Sequence, residues 1–206
     1  MEKVLRDKKA LIVFILPGLI AYLWFTFYPI CLSIYYSFFS GVPGLDFKFV
    51  GLENYKKLLS DSIFRESASV TLIYLLVSAT GMLVMGYATA LFLAFALKKY
   101  TDEIRTLIYM PVVIPAVGAA ALFTKVFEIQ PYYGLLNSFL AAIGLGSMVK
   151  SWLGSSDTAL MSLCIADIWR MIGYYMVIFY AGIISFPKEL EEAARIDGSG
   201  ILRTYF

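Results

Sequence analysis

Histidine is absent from this 206-residue chain. That absence excludes Ser-His-Asp and Cys-His catalysis and any imidazole metal site. Cysteine is nearly absent. Cys31 and Cys164 each sit alone in an apolar run, with no CxxC and no ligand spacing, so disulfide and zinc frameworks are excluded. Charge is scarce as well: 16% of residues, against about 25% in a soluble domain. A net charge of +2 gives a nucleic acid no electrostatic footprint. What fills the chain is apolar: 60% hydrophobic, 17% aromatic, mean hydropathy +0.77. Such a chain is too apolar for water and too poor in charge for disorder. Its length and composition predict a single integral membrane domain over 1–206.

Charge-free runs place the spans. A membrane helix needs about 20 apolar residues to cross roughly 30 Å of hydrocarbon. No charge falls in the 36 residues between Lys9 and Asp46, the 31 between Glu66 and Lys98, or the 19 between Arg105 and Lys125. The run Thr158–Phe186 holds only Asp167 and Arg170. The sequence therefore predicts an all-α polytopic bundle with four transmembrane helices, at about 10–39, 67–97, 105–127 and 158–186. The first run follows a basic start but is too long for a signal peptide and lacks a small-residue cleavage site, so it reads as an uncleaved anchor.

Lys and Arg in the loops set the orientation. With the N-terminus inside, Lys3, Arg6, Lys8, Lys9, Lys98, Lys99, Arg105, Lys188, Arg195 and Arg203 lie on the cytoplasmic side. Lys48, Lys56, Lys57, Arg65, Lys125 and Lys150 lie outside. Two loops show helical spacing of apolar residues, Leu52, Tyr55, Leu58 and Leu59 in one, and Leu135, Leu136, Phe139, Leu140 and Ile143 in the other. Both predict short amphipathic helices at the outer interface.

Within the spans few features could carry chemistry. Gly86, Ala90 and Ala94 recur every four residues and predict a close helix–helix seam. Pro111 and Pro115 remove backbone donors from the third span, so they predict a kink, either static or a hinge. Asp167 and Arg170 stand three residues apart on one helix face, where they can pair. Charges inside a bilayer pair or face water, so the two are either a structural ion pair or the polar lining of a translocation path. Trp169 and Tyr174 stand beside them. Aromatic faces next to polar groups suit a sugar ligand, and they suit simple packing equally. Asp167 is the sole carboxylate in the four spans and has no companion base or metal set, which argues against an enzyme.

After the fourth span, Pro187 is followed by acidic residues, as at a helix start. Ala193 and Ala194 continue the helix, Asp197-Gly198 stops it, and a second short helix starts near Ser199. The segment 187–206 thus reads as a helix–turn–helix elbow on the cytoplasmic face.

Here the string Glu192-Ala193-Ala194-Arg195-Ile196-Asp197-Gly198 resembles the EAA motif, E-A-A-x-x-D-G-A, of the membrane subunits of bacterial ABC importers. It departs from that pattern at Ser199, and Tyr205 stands where Phe is usual. Further segments resemble the carbohydrate-uptake branch, in order along nearly the whole chain. They include Leu16-Pro17, Tyr28-Pro29, Phe49-Val50-Gly51-Leu52-Glu53-Asn54-Tyr55, Tyr109-Met110-Pro111, Tyr133-Gly134-Leu135-Leu136-Asn137 and Trp152-Leu153-Gly154.

The resemblance implies a permease subunit, with the MetI-like fold, for a sugar or sugar derivative in the bacterial cytoplasmic membrane. It implies three kinds of partner besides the bilayer: a dimer of ABC ATPase subunits, a second homologous permease, and an extracytoplasmic solute-binding protein. The chain carries no G-x-x-x-x-G-K-[ST] phosphate loop. ATP is then bound and hydrolysed by the partner, and no cofactor is expected here. Glu192, Ala193, Ala194, Asp197 and Gly198 would couple to that ATPase, with Glu192 and Asp197 in polar contacts or capping the short helices. The branch usually has six spans with the elbow between the fourth and fifth. The chain is therefore expected to be a front fragment that does not transport alone. The competing expectation is a non-transporting four-helix scaffold or assembly protein.

Overall fold

The computed structural model describes residues 8–97, 100–129 and 132–205. Lys3, Arg6, Lys98 and Lys99, used above for orientation, lie outside the described residues. The chain divides into two units, 1–68 and 69–206. Each is taken by itself.

In the first unit, α1 (Lys8–Tyr22) passes through a π-helical turn at Leu23–Phe27 into α2 (Tyr28–Tyr36). The widened turn has a local cause. Pro29 has no N–H and its ring crowds the carbonyl four residues back, so the ladder slips by one. The Tyr28 N–H accordingly donates to the Leu23 carbonyl. The stretch Leu11–Tyr36 is apolar all round and exposes most of its large side chains, as a lipid-facing helix does.

A two-residue antiparallel ladder follows, β1 (Phe39–Ser40) on β2 (Lys48–Phe49), pairing Phe39 with Phe49. The ladder is a small local addition to an otherwise helical fold, as the all-α expectation has it. Gly41 takes φ +95°, and the Asp46 carboxylate accepts the Val42 N–H at 2.7 Å to close the loop. The next helix, α3 (Glu53–Ser60), is the first amphipathic helix expected from the sequence. Its Asn54 amide donates to the carbonyls of Ser37 (2.9 Å) and Phe39 (2.7 Å). Tyr55 shares a 2.6 Å hydrogen bond with Ser37. The Phe49–Tyr55 motif is thus a clasp that holds the chain leaving α2.

Helix α4 (Ser62–Phe95) starts earlier than the expected 67 and continues into the second unit. There it meets α8 (Ser156–Ile184), the other long helix. At Gly86 a Cβ would stand 2.7 Å from the Tyr175 Cβ and 3.1 Å from the Met176 nitrogen. The small residue is what lets the two backbones approach. Ala90, Leu93, Met176 and Ile183 form the buried core beside this seam.

The third expected span, 105–127, is not one rod. Helix α5 (Thr101–Val113) and helix α6 (Ala116–Val126) are bent through 98°. The break is at Ile114–Pro115. Pro115 crowds the backbone before it and drives Ile114 to ψ 126°, outside the helical region. Pro111 lies buried within α5 and does not end it. Among the described residues, three helices are long and apolar enough to cross a membrane by themselves, and the bent pair makes a fourth if both arms count as one span. A second backbone approach holds α5 on α8. At Gly173 a Cβ would collide with the Ile108 carbonyl oxygen and stand 2.7 Å from the Tyr109 Cα.

Beyond α6, α7 (Leu135–Ala142) is the second amphipathic helix expected from the sequence. Asn137, fully buried, holds the loops around it. Its amide donates to the Glu128 and Lys150 carbonyls at 3.1 Å each. Its oxygen accepts the Trp152 indole N–H at 2.8 Å. A buried polar side chain satisfied in this way fixes one arrangement of the loop.

Candidate functional site: a charged cavity and an exposed elbow

A cavity of about 370 Å³ lies among α4, α6 and α8 in the second unit. That is a ligand-sized volume. Ala116, Ala119, Ala120 and Phe123 of α6 form one wall, and Ala166, Asp167 and Arg170 of α8 another. The bend at Pro115 turns α6 so that its small face lines the cavity.

Asp167 and Arg170 stand near the middle of α8, each about one-quarter exposed. Arg170 Nη2 donates to Asp167 Oδ1 at 3.1 Å. The other carboxylate oxygen accepts the Tyr74 hydroxyl of α4 at 2.8 Å. A charge at mid-bilayer costs about 3 kcal/mol unpaired, which the pairing offsets. The group is therefore a neutral polar triad set in apolar walls. It offers hydrogen bonds and C–H contact to an uncharged hydroxylated ligand, without a bare charge.

The other two path candidates lie apart from this lining. Trp169 packs edge-on to Phe123, ring centres 5.2 Å apart, and reaches the cavity only through that ring. Tyr174 is exposed and edge-on to Tyr175 at 5.4 Å. Tyr74 was not singled out from the sequence. With 15 tyrosines in the chain, no spacing distinguishes the one that meets Asp167.

The elbow folds as the sequence predicts. Helix α9 (Lys188–Ile196) follows Pro187, Gly198 turns the chain at φ +78°, and α10 (Ile201–Tyr205) follows. Its two faces differ. Glu192, Ala193, Ile196 and Asp197 face outward, with Ile196 87% exposed. Neither Glu192 nor Asp197 makes a side-chain hydrogen bond or ion pair among the described residues. Ala194, from the same motif, is half-buried on the opposite face.

Beside Ala194, Glu191 takes the polar contacts. It pairs with Arg195 at 2.6 Å and lies 3.3 Å from the Tyr205 hydroxyl. Burial first, and then the Glu191 carboxylate, push the Tyr205 phenol above its ordinary pKa. Sequence reasoning noted Tyr205 as a departure from the motif and missed Glu191.

Residues 82–206 match the family described as binding-protein-dependent transport system inner membrane component. The chain belongs to that family. It is 33% identical over 196 residues to the probable ABC transporter permease protein YurN of Bacillus subtilis, covering 94% of this chain and 66% of that protein. The sulfoquinovosyl glycerol transport system permease protein SmoG of Agrobacterium fabrum is 30% identical, covering 98% and 65%. The sn-glycerol-3-phosphate transport system permease protein UgpA of Pectobacterium atrosepticum is 32% identical, covering 94% and 64%.

The fold resembles the crystal structure of a bacterial ABC transporter involved in the import of the acidic polysaccharide alginate. The TM-score is 0.77 at 24% identity, covering 98% of this chain and 66% of that one. The chain spans about two thirds of the length of the curated relatives it matches.

Proposed function

We propose that this chain is part of the permease subunit of an ATP-driven importer for a sugar or sugar derivative. It works in the cytoplasmic membrane with its N-terminus inside. A separate ATPase binds and hydrolyses ATP, a second homologous permease completes the path, and a solute-binding protein delivers the ligand from outside. Family membership and the sugar-transport names of the relatives support this reading.

The observation that carries the coupling role is the outward face of the elbow. Glu192, Ala193, Ile196 and Asp197 stand open to a partner, and Gly198 holds the turn at a φ that other residues rarely adopt. In this reading the exposed Ile196, between two carboxylates that have no side-chain partner among the described residues, is the point of contact with the partner. When the partner moves the elbow, α8 carries the displacement toward the Asp167–Arg170 cavity, because it is one unbroken helix from Ser156 to Ile184. Asp167, Arg170 and Tyr74 then line the path, with Trp169 and Tyr174 near it, and the Pro115 break is the hinge on its far wall.

The test is co-purification of the tagged full-length subunit with its ATPase subunit. Asp197→Arg and Gly198→Pro are each expected to abolish the association while membrane abundance holds. Association unchanged in both would overturn the coupling role.

A further inference from the structure

We propose that Tyr205 is the positioning residue that makes the elbow move as one body with α4 and with the end of α8. The inference rests on the coupling role given above and assigns it an inward half. Docking uses the outward face of α9. Something on the inward face must convert displacement of that helix into displacement of the spans.

The Tyr205 side chain touches all three parts. Its ring lies 5.2 Å from Phe95, the last residue of α4, and 5.1 Å from Phe186, just beyond α8. Its hydroxyl reaches Glu191 on the inward face of α9. Its backbone carbonyl accepts the Tyr87 hydroxyl of α4 at 2.6 Å. Tyr87 in turn stands edge-on to Phe179 of α8 at 5.3 Å. These contacts run straight into the buried core of Ala90, Leu93, Met176 and Ile183, against which Tyr205 packs.

Tyr87, Phe179, Phe186 and Tyr205 border an open cavity of about 580 Å³ on one side. On the other they stand ring against ring beside the buried core, where few alternative arrangements exist and a push is passed on. Phe at this position would keep the ring contacts and lose the grip on Glu191. The ring is therefore the larger part of the device and the hydroxyl the smaller.

The experiment uses the whole transporter, reconstituted in vesicles with its ATPase, second permease and binding protein. It reads solute imported per ATP hydrolysed, together with the amount of assembled complex. Tyr205→Ala is expected to keep its ATPase bound and to lower import per ATP by roughly 2- to 30-fold, the range for side chains that carry coupling. Tyr205→Phe is expected to restore most of that ratio. Glu191→Gln, which leaves the ring in place, is expected to resemble Tyr205→Phe.

A wild-type ratio in Tyr205→Ala would overturn the proposal. So would a loss of import that merely follows a loss of assembled complex, since that would mark Tyr205 as a folding residue. Failure of the coupling reading itself looks different: the wild-type subunit would then not retain the ATPase at all.

Discussion

The cavity on α8 and the elbow that follows it treat their charges in opposite ways. In the cavity, both Asp167 oxygens are occupied, one by Arg170 and one by Tyr74. On the outward face of the elbow, Glu192 and Asp197 make no side-chain bond among the described residues, and Ile196 stands bare beside them. Inside an apolar span no water is at hand, so a polar group must find its partner within the bundle. At the aqueous end of the helix water satisfies the carboxylates, which leaves them free to meet another protein. Satisfied polarity marks the region that must hold its shape, and open polarity marks the surface to which the proposed coupling role assigns docking.

This contrast predicts where stability is lost and where only association is lost. Asp167→Ala leaves the Arg170 guanidinium without its carboxylate in an apolar setting and should cost about 3 kcal/mol. It would be read as a lowered unfolding midpoint of the detergent-solubilised protein. Removing Arg170 as well should recover part of that loss, because the stranded charge goes too. If the double variant is no better than the single one, the pair is not the stabilising unit.

Next in size is Gly173→Ala. Its added Cβ meets the Ile108 carbonyl and the Tyr109 backbone, neither of which can rotate away. Prying α5 from α8 should cost about 2 kcal/mol by the same measurement. An unchanged midpoint would mean that the helices are not held this closely.

Ile196→Asp belongs to the other side of the comparison. It should change the unfolding midpoint by less than about 0.5 kcal/mol, as a surface substitution does. Yet it should weaken ATPase binding about tenfold, which corresponds to about 1.4 kcal/mol. A titration of the solubilised subunit with the ATPase separates the two effects. A folding defect without a binding defect would reverse the assignment of that face.

The smallest expected effect concerns a paired carboxylate exposed to water, intermediate between the two regions. Lys57 stands 2.9 Å from Glu53 on α3. Its hydrogen bond, and then its charge, hold the Glu53 carboxyl below the ordinary 4.5. A depressed folded pKa means that the stabilisation is present above the unfolded value. It is lost as pH falls from about 4.5 through the lower folded value. Lys57→Ala should remove this small stabilisation at neutral pH, where it is fully present, change nothing below the folded value, and so flatten the acid limb of the unfolding midpoint plotted against pH.

Much of this was legible along the chain, for reasons that are local. The limits of α9, the turn at Gly198 and the start of α10 follow from Pro187, the acidic first turn and the glycine. None of these needs a distant contact. The amphipathic helices α3 and α7 were visible because one-sided burial imposes a period on neighbouring residues. The small-residue seam at Gly86 and Ala90 was visible for a similar reason. By contrast, the two-residue ladder at Phe39–Phe49 is too short to impose any alternation. A single Tyr74 among many tyrosines likewise carries no mark of the helix it will face. The close approach at Gly173 was missed because one glycine makes no repeat.

Pro111 and Pro115 announced a disturbance in the third span. They could not announce a turn of 98°. A proline disfavours helical backbone at the residue before it, but whether the helix breaks, and where the next one goes, depends on what those helices pack against.

By itself, then, the sequence determined that the chain is a membrane bundle, where its apolar helices run, and that a helix–turn–helix elbow follows the long helix α8. Those properties arise from transfer free energy and backbone chemistry summed over near neighbours. Only the tertiary structure decided that α6 folds back to line a cavity with Asp167 and Arg170. It alone decided that Tyr74 completes that triad from α4, and that Tyr205 gathers α4, the end of α8 and the elbow into one cluster. These are meetings of residues up to 118 positions apart. Such meetings depend on how whole helices pack, which no local pattern records.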